Sequence, residues 1–258
     1  MLEKISDFFI RKMTKFYIKE VNGLQNIPEK GPFLIVANHA SYFDHFIIHT
    51  ILKDYKNQKV HFLTKKEAFD SYLSRKWHLA MGAIPLNRDA ADTSAFRTVI
   101  RTLKKEKIVC IYPEGTRSPT GKMYMGKLGA VWIAMTAKVP IIPIGIESSF
   151  DILPRKRFWP KFHKTKVNIG KSIFIYSIRD KTQMKKIHEQ LMKNIQVLSG
   201  NTQYELYPLP VEKEDYIKEL MKFAYTWNER GIRNYPNDFL EPNAFHQRAK
   251  YICEEHSC

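Results

Sequence analysis

Apolar positions along the chain alternate between the spacing of buried strands and the spacing of helices. Seven short apolar runs predict strands, at residues 33–37, 60–63, 83–86, 108–112, 141–146, 167–170 and 173–176. Longer stretches with apolar residues three and four apart predict helices, at residues 3–19, 92–105, 125–138, 181–198 and 212–230. This alternation predicts an α/β fold, with a mixed, largely parallel sheet flanked by helices.

The first predicted helix is amphipathic and basic. One face carries apolar side chains: Ile5, Phe8, Phe9, Met13, Phe16 and Tyr17. The opposite face carries basic side chains: Lys4, Arg11, Lys15 and Lys19. Such a helix can lie among lipid headgroups or pack on the protein's own core. We predict a membrane-contacting helix, with core packing as the alternative.

The net charge of the chain indicates which kinds of molecule it can bind. The 258 residues include 42 Lys and Arg against 26 Asp and Glu, for a net charge of +16. A surface of this sign attracts phosphate groups on nucleic acids, anionic lipids or small substrates. The three cysteines indicate no disulfide framework. No stretch of 18 uninterrupted apolar residues exists, so we predict peripheral attachment at the cytoplasmic face of a membrane.

The composition changes near Gly200. We predict a main domain over residues 1–200, followed by a helical C-terminal appendage over residues 201–258, whose role the sequence leaves open. Four potential zinc ligands lie near the end of the chain: His246, Cys253, His256 and Cys258. They lack the paired short spacing of a zinc knuckle, so we predict no metal site.

A histidine and an aspartate follow the predicted strand 33–37. His39 precedes Asp44 by five positions. A carboxylate bonded to one imidazole nitrogen fixes the tautomer and leaves the other nitrogen to take a proton near neutral pH. Residues five apart on one helix point to different faces. The pair is therefore expected in a loop that leads into a helix.

Two further loops place arginines at strand ends. Arg88 follows the predicted strand 83–86, and Arg117 lies in the segment 112–118, Tyr-Pro-Glu-Gly-Thr-Arg-Ser. Two guanidinium groups on neighbouring strand ends can bind one phosphate. Together with the His-Asp pair, they predict a site that binds a phosphorylated alcohol and deprotonates its hydroxyl.

Four blocks in this order resemble the glycerolipid acyltransferase family, which includes 1-acylglycerol-3-phosphate acyltransferase. They are the His39 to Asp44 motif and the segments 82–88, 112–118 and 139–144. The resemblance covers roughly residues 30–180. Tyr112 stands where the family usually has phenylalanine, and Pro85 stands where an apolar residue is common.

The resemblance implies a role for each matching residue. His39 is expected to be the general base and Asp44 the group that orients it. Expected substrate-binding residues are Arg88, Glu114, Gly115, Thr116, Arg117 and Lys127. Among them, the arginines would bind the acceptor phosphate and Glu114 its glycerol. The loop at Gly115 would supply oxyanion donors.

The reaction implied by the resemblance is acyl transfer to lysophosphatidic acid, which forms phosphatidic acid. The co-substrate would be acyl-CoA or acyl-acyl carrier protein, and no cofactor is expected. Glycerol 3-phosphate or another lysolipid remains an alternative acceptor. The carrier protein is a possible partner, and a membrane lipid surface is the expected one.

The segment 154–162 leaves a different class of partner open. It interleaves basic and aromatic residues, Pro-Arg-Lys-Arg-Phe-Trp-Pro-Lys-Phe. Such a segment can stack nucleic-acid bases or settle at a lipid interface. No nucleic-acid-binding module accompanies it, so we predict contact with lipid and no nucleic-acid partner.

Overall fold

The computed structural model describes residues 2–86, 93–155, 157–175, 180–202 and 204–205. Within them the helices are α1 (Leu2–Tyr17), α2 (Phe43–Lys56), α3 (Tyr72–Ala80), α4 (Thr93–Lys104), α5 (Gly129–Ala137) and α6 (Lys181–Leu198). The strands are β1 (Ile18–Asn22), β2 (Phe33–Ala37), β3 (Val60–Lys65), β4 (Ala83–Leu86), β5 (Ile108–Ile111), β6 (Met123–Tyr124), β7 (Ile141–Glu147), β8 (Thr165–Ile169) and β9 (Tyr204–Glu205).

Seven strands form one mixed sheet in the order β1-β8-β7-β2-β5-β3-β4. All neighbours pair in parallel except β7 and β8, which are antiparallel. Helices α4, α5 and α6 pack together on one face, and α2 covers the other. The predicted fold class is therefore confirmed.

The central strands are buried on both faces. Every residue of β2 and β5 is buried, which explains their continuous apolar sequences. Since β2 and β5 are parallel neighbours, with Val36 opposite Ile111, their carboxyl ends open at the same edge of the sheet. The loops that follow these two strands therefore meet, and this edge is where parallel α/β sheets bind ligands.

Two predicted elements differ from the observed ones because of tertiary contacts. The helix predicted over 125–138 begins only at Gly129, since the amide of Tyr124 donates to Glu114 and the amide of Lys127 donates to the carbonyl of Pro113. These bonds hold the preceding residues in an extended connection. The predicted helix 3–19 ends at Tyr17, because the following residues form β1, which pairs with β8.

The strand predicted at 173–176 is wrong for the residues described there. Ile173 forms a single bridge with Ile141 and no strand follows. The β7–β8 ladder runs from Ile144 to Glu147 and stops at Pro143. Proline has no N–H to donate, so the pairing cannot continue past it without a break. Helix α3 and strand β1 were not predicted.

Helix α1 packs on α2 through its polar side. Arg11 and Lys15 both form ion pairs with Asp54, and Asp7 contacts His49 at 2.5 Å. Thr14, between them on the same side, is fully buried.

The apolar side of α1 points away from the protein. Ile5, Phe8, Phe9, Met13 and Phe16 are all exposed, with Phe9 63% exposed. No helix among the described residues is long and apolar enough to cross a bilayer.

Candidate active site

The side chains of His39 and Asp44 meet at the carboxyl end of β2. The Nδ1 atom of His39 lies 2.8 Å from Oδ2 of Asp44, and both side chains are buried. Helix α2 begins at Phe43, so Asp44 lies in its first turn and points back toward the loop. The predicted arrangement is thus the observed one. Because Nδ1 faces the carboxylate, Nε2 is the ring nitrogen that can exchange a proton with a substrate.

Backbone amides fix the position of the Asp44 carboxylate. Its Oδ2 also accepts hydrogen bonds from the amides of Ala40 and Ser41, at 2.9 and 2.8 Å. Three donors therefore converge on one carboxylate oxygen at the start of α2. The hydroxyl of Ser41 donates to the carbonyl of Leu153 at 3.0 Å. This buried serine therefore supports the loop, and its hydroxyl is committed to that carbonyl.

The loop that follows β2 is held by hydrogen bonds to the strands on both sides of it. The side chain of Asn38 donates to the carbonyl of Ile146 and accepts from the amide of the same residue, at 3.0 and 2.8 Å. On the other side, the amide of Ser118 donates to the carbonyl of His39 at 2.8 Å. These bonds link the ends of β7, β2 and β5. They fix the backbone position from which the His39 side chain extends.

Glu114 is turned inward. Its Oε1 accepts from the amide of His39 at 2.6 Å and its Oε2 from the amide of Tyr124 at 2.9 Å. The side chain is only 1% exposed, and burial raises the pKa of Glu114 to about 8. The sequence predicted that this carboxylate would bind the acceptor's glycerol. In the structure both of its oxygens accept hydrogen bonds from protein backbone.

Two aromatic rings enclose the imidazole. Tyr112 stacks on His39 with ring centroids 4.0 Å apart and an interplanar angle of 14°. His45 lies edge-on to His39 at 5.2 Å. The Asp44 hydrogen bond fixes one nitrogen of the ring, and the stacking in addition restricts rotation of the ring plane. Sequence reasoning did not anticipate either contact; the tyrosine in place of the family's usual phenylalanine was the available signal.

Arg117 lies beside the loop that carries His39 and Tyr42. Its guanidinium carbon is 3.3 Å from the ring centroid of Tyr42, a cation–π contact. Its Nη1 is buried, and among the described residues no hydrogen-bond acceptor reaches it. A buried donor without a partner is costly, and a ligand oxygen would remove that cost. The position therefore suits the predicted binding of an anion.

Gly115 and Thr116 come just before Arg117 in the chain, and the side chain of Lys127 lies next to Gly115. Gly115 has φ +70°, and a Cβ added there would lie 3.8 Å from Nζ of Lys127. The amide of Gly115 donates to the carbonyl of Tyr112 at 3.0 Å. Among the described residues, the amides of Thr116 and Arg117 have no acceptor. These two amides are therefore backbone donors of this loop that no described acceptor uses.

Some of the predicted residues cannot be placed. Arg88 lies outside the described residues, as do residues 206–258 of the predicted C-terminal appendage. The described part of the chain contains no group of three or more His, Cys, Asp or Glu side chains that could hold a metal ion. The four C-terminal His and Cys residues lie outside it.

The fold and the site together define an acyltransferase. A family described as Acyltransferase matches residues 19–147, half of the chain, and the chain belongs to this family. The match includes His39, Asp44, Glu114, Arg117 and Lys127.

Several relatives are named 1-acyl-sn-glycerol-3-phosphate acyltransferases. A Bacillus subtilis protein is 31% identical over 134 residues, covering 52% of this chain and 62% of the relative. A chloroplastic Brassica napus protein is 30% identical over 142 residues, covering 54% and 40%. The human beta protein is 31% identical over 154 residues, covering 57% and 53%. The chain thus spans about half the length of the curated relatives it matches.

A solved structure is similar over a larger share of the chain. It is the 1-acyl-sn-glycerophosphate (LPA) acyltransferase PlsC from Thermotoga maritima, 25% identical in sequence, with a TM-score of 0.62. The similarity covers 76% of this chain and 80% of that one. The likeness therefore extends beyond the motif blocks.

Proposed function

We propose that this protein transfers a fatty acyl group from an acyl thioester to the free hydroxyl of 1-acylglycerol-3-phosphate, which yields phosphatidic acid. The observation that carries the proposal is the 2.8 Å contact between His39 and Asp44, beside the buried, unpartnered Nη1 of Arg117. The first supplies an oriented base and the second a binding group for phosphate. The names of the relatives support the same acceptor.

The proton of the acceptor hydroxyl would pass to Nε2 of His39, while Asp44 stabilises the imidazolium that forms. The acceptor oxygen then attacks the thioester carbonyl. Collapse of the tetrahedral intermediate breaks the carbon–sulfur bond, and the leaving thiolate takes the proton back from Nε2. The base is regenerated, and the enzyme itself forms no covalent bond to the acyl group.

Charge develops on the carbonyl oxygen during this attack. The amides of Thr116 and Arg117 are the suitable donors, since the amide of Gly115 is already bonded within its turn. Removing one such donor typically costs about 100- to 1,000-fold in kcat. Lys127, whose amine lies beside Gly115, and Arg117 would stabilise the acceptor phosphate next to this loop.

The acceptor is a lipid, so the site must reach a bilayer surface, and we propose peripheral binding through a membrane-contacting surface. This surface consists of the outward side of α1 (Ile5, Phe8, Phe9, Met13 and Phe16) and the described loop residues 155 and 157–164. In the loop, Phe158 is 93% exposed and Trp159 is 82% exposed. Phe16 and Phe162 join the two parts, with ring centroids 5.0 Å apart.

This surface has the composition of an interfacial segment. Exposed aromatic rings prefer the headgroup boundary. Arg155, Arg157, Lys161 and Lys164 lie among them, and each could contribute about 1 kcal/mol on anionic lipid. Tyr17, at the end of α1, packs on Phe43 at 4.7 Å, next to Asp44. The membrane-contacting surface and the site would therefore be close together.

The test is an assay of purified protein with acyl-CoA and acyl-carrier protein, each against 1-acylglycerol-3-phosphate, glycerol 3-phosphate and 1-acylglycerol. Fastest transfer to 1-acylglycerol-3-phosphate supports the proposal. Transfer to glycerol 3-phosphate alone would assign the alternative acceptor, and no transfer with any pair would refute the activity. Binding to anionic liposomes, compared with retention on DNA at physiological salt, tests the partner.

A further inference from the structure

A groove with a volume of about 400 Å³ lies beside the ends of β3 and β4. It is lined by Lys66, Phe69, Asp70, Arg75, Leu79 and Pro85. We call it the β3–β4 groove. Its lining combines apolar surface with two exposed cations, and none of the site residues discussed above belongs to it.

The two cations of the β3–β4 groove have no charged partner in the described part of the chain. Neither Lys66 nor Arg75 forms an ion pair or a side-chain hydrogen bond there, and neither does Asp70. Arg11 and Lys15, by contrast, both form ion pairs with Asp54. Unpaired cations beside apolar walls suit an organic ligand that carries a phosphate.

The groove lies on the same edge of the sheet as His39. Through the registers of β4 on β3, β3 on β5 and β5 on β2, Pro85 is level with Ala37, two residues before His39. Three strand spacings separate them, which amounts to about 14 Å. The groove is therefore a neighbour of the base but not part of its immediate surroundings.

The membrane-contacting surface lies on the other side of His39. Its loop follows β7 and leads into β8, and the carbonyl of Leu153 next to it accepts from Tyr42 and Ser41. In the sheet order, β7 and β8 flank β2 on one side while β5, β3 and β4 flank it on the other. If the lipid acceptor reaches His39 from the β7 side, the β4 side remains free for the acyl donor.

We propose that the β3–β4 groove binds the phosphopantetheine arm of the acyl donor, the part that CoA and carrier proteins share. Lys66 and Arg75 would bind its phosphate, and Phe69, Leu79 and Pro85 would contact its apolar portion. This inference rests on the proposed acyl transfer.

The length of the arm fits this assignment. About 13 bonds separate sulfur from phosphorus, which extend to roughly 16 Å at ordinary bond lengths and angles. With the thioester at His39, the phosphate reaches the groove about 14 Å away. A shorter donor would leave the groove empty, and the phosphate contacts would contribute nothing to its binding.

The negative charge of Asp70 allows a test in which two kinds of variant should change the donor KM in opposite directions. Its carboxylate lines the groove next to the two cations and opposes an anion. Asp70→Asn should therefore lower the KM for the donor, whereas Lys66→Ala with Arg75→Ala should raise it by about tenfold, as expected for two exposed charge contacts. The matched control is Arg101→Ala with Lys104→Ala, because both side chains are exposed on the last turn of α4.

The experiment measures initial rates of full-length protein with acyl-CoA, with acyl-carrier protein and with acyl-pantetheine, which lacks the phosphate. Each donor that the unaltered protein accepts is compared across the variants at saturating acceptor. The expected result is a higher donor KM for the phosphate-bearing donors in the double variant, with acyl-pantetheine unaffected. The acceptor KM should also remain unchanged.

Several results would overturn the inference. They are an unchanged donor KM, an equal rise with acyl-pantetheine, or a rise in the acceptor KM instead. If both phosphate-bearing donors are accepted, an effect on acyl-CoA alone would indicate a nucleotide site, and one on the carrier protein alone a protein-docking surface. Either overturns the assignment to the shared arm. Failure of the proposed function would give a different result, because the unaltered protein would then transfer no acyl group from any donor.

Discussion

The backbone amide of His39 donates to Oε1 of Glu114 at 2.6 Å, across the gap between the ends of β2 and β5. The other oxygen of this carboxylate accepts from Tyr124. One buried side chain thus holds the base and the start of the α5 connection in a fixed relation. Glu114 therefore fixes the position of His39 through the backbone of the loop that carries it.

Replacing the base tests the chemistry directly. His39→Ala should reduce kcat by about 100- to 10,000-fold while the protein stays folded, because a general base contributes that range. Asp44→Asn should retain weak activity, since the imidazole remains but its tautomer is no longer fixed. Initial rates combined with circular dichroism check both. Near-normal turnover by folded His39→Ala protein would refute the mechanism.

Glu114→Gln separates positioning from substrate binding. The amide keeps the shape but places an NH2 group against a backbone amide, so one of the two bonds is lost. We expect a lower kcat with an unchanged acceptor KM, since the base is displaced and no substrate contact is removed. Glu106→Gln, an exposed site, is the control. A raised acceptor KM with normal kcat would instead support the glycerol-binding role that the sequence predicts.

The same substitution predicts a change in how stability depends on pH. Burial raises the folded-state pKa of Glu114 from 4.5 to about 8, so the native state binds more protons than the unfolded state between these values. We therefore compare the free energy of unfolding of the unaltered protein with that of Glu114→Gln. The difference between the two should fall by roughly 3–5 kcal/mol as the pH rises through this window. Urea denaturation at pH 4.5, 6 and 8.5 measures it, and a constant difference would contradict the assignment.

Arg117→Ala should mainly weaken acceptor binding. A hydrogen bond to a charged group contributes about 1.5–3 kcal/mol, so the acceptor KM should rise by roughly 10- to 150-fold. Arg117→Lys should recover only part of this, because lysine lacks the planar group that stacks on Tyr42. Assays with 1-acylglycerol-3-phosphate and with 1-acylglycerol, which has no phosphate, isolate the effect. Equal losses on both acceptors would place the phosphate elsewhere.

Phe8→Ser with Phe9→Ser tests the outward side of α1. Both rings are more than half exposed, so their loss should leave the melting temperature nearly unchanged. Binding to anionic liposomes should weaken, and turnover should fall on long-chain acceptors but not on a short soluble one. The matched control is Tyr72→Ser with Leu73→Ser, an even more exposed apolar pair on α3. A lower melting temperature with unchanged liposome binding would favour the core-packing alternative.

Several features were predictable because they depend on local patterns. The strand at residues 83–86 and the helix at residues 181–198 have the predicted bounds, since a continuous apolar run or a regular helical stripe reports burial directly. The His39 and Asp44 contact was also predictable, because five residues across a strand-to-helix turn can return to the same point. Arg117 was predictable beside that pair for a different reason, because it follows the end of a neighbouring strand.

Other features depend on which segment lies next to which. The sequence determined that α1 has an apolar face and a polar face, and that residues 112–118 carry a glutamate, a glycine and an arginine. The tertiary structure decided that the polar face of α1 meets Asp54 and His49, so that the aromatic face points outward. It also decided that Glu114 turns toward backbone amides of two other segments. Periodicity separates side chains into faces, but only the partner that lies against each face determines which one is buried.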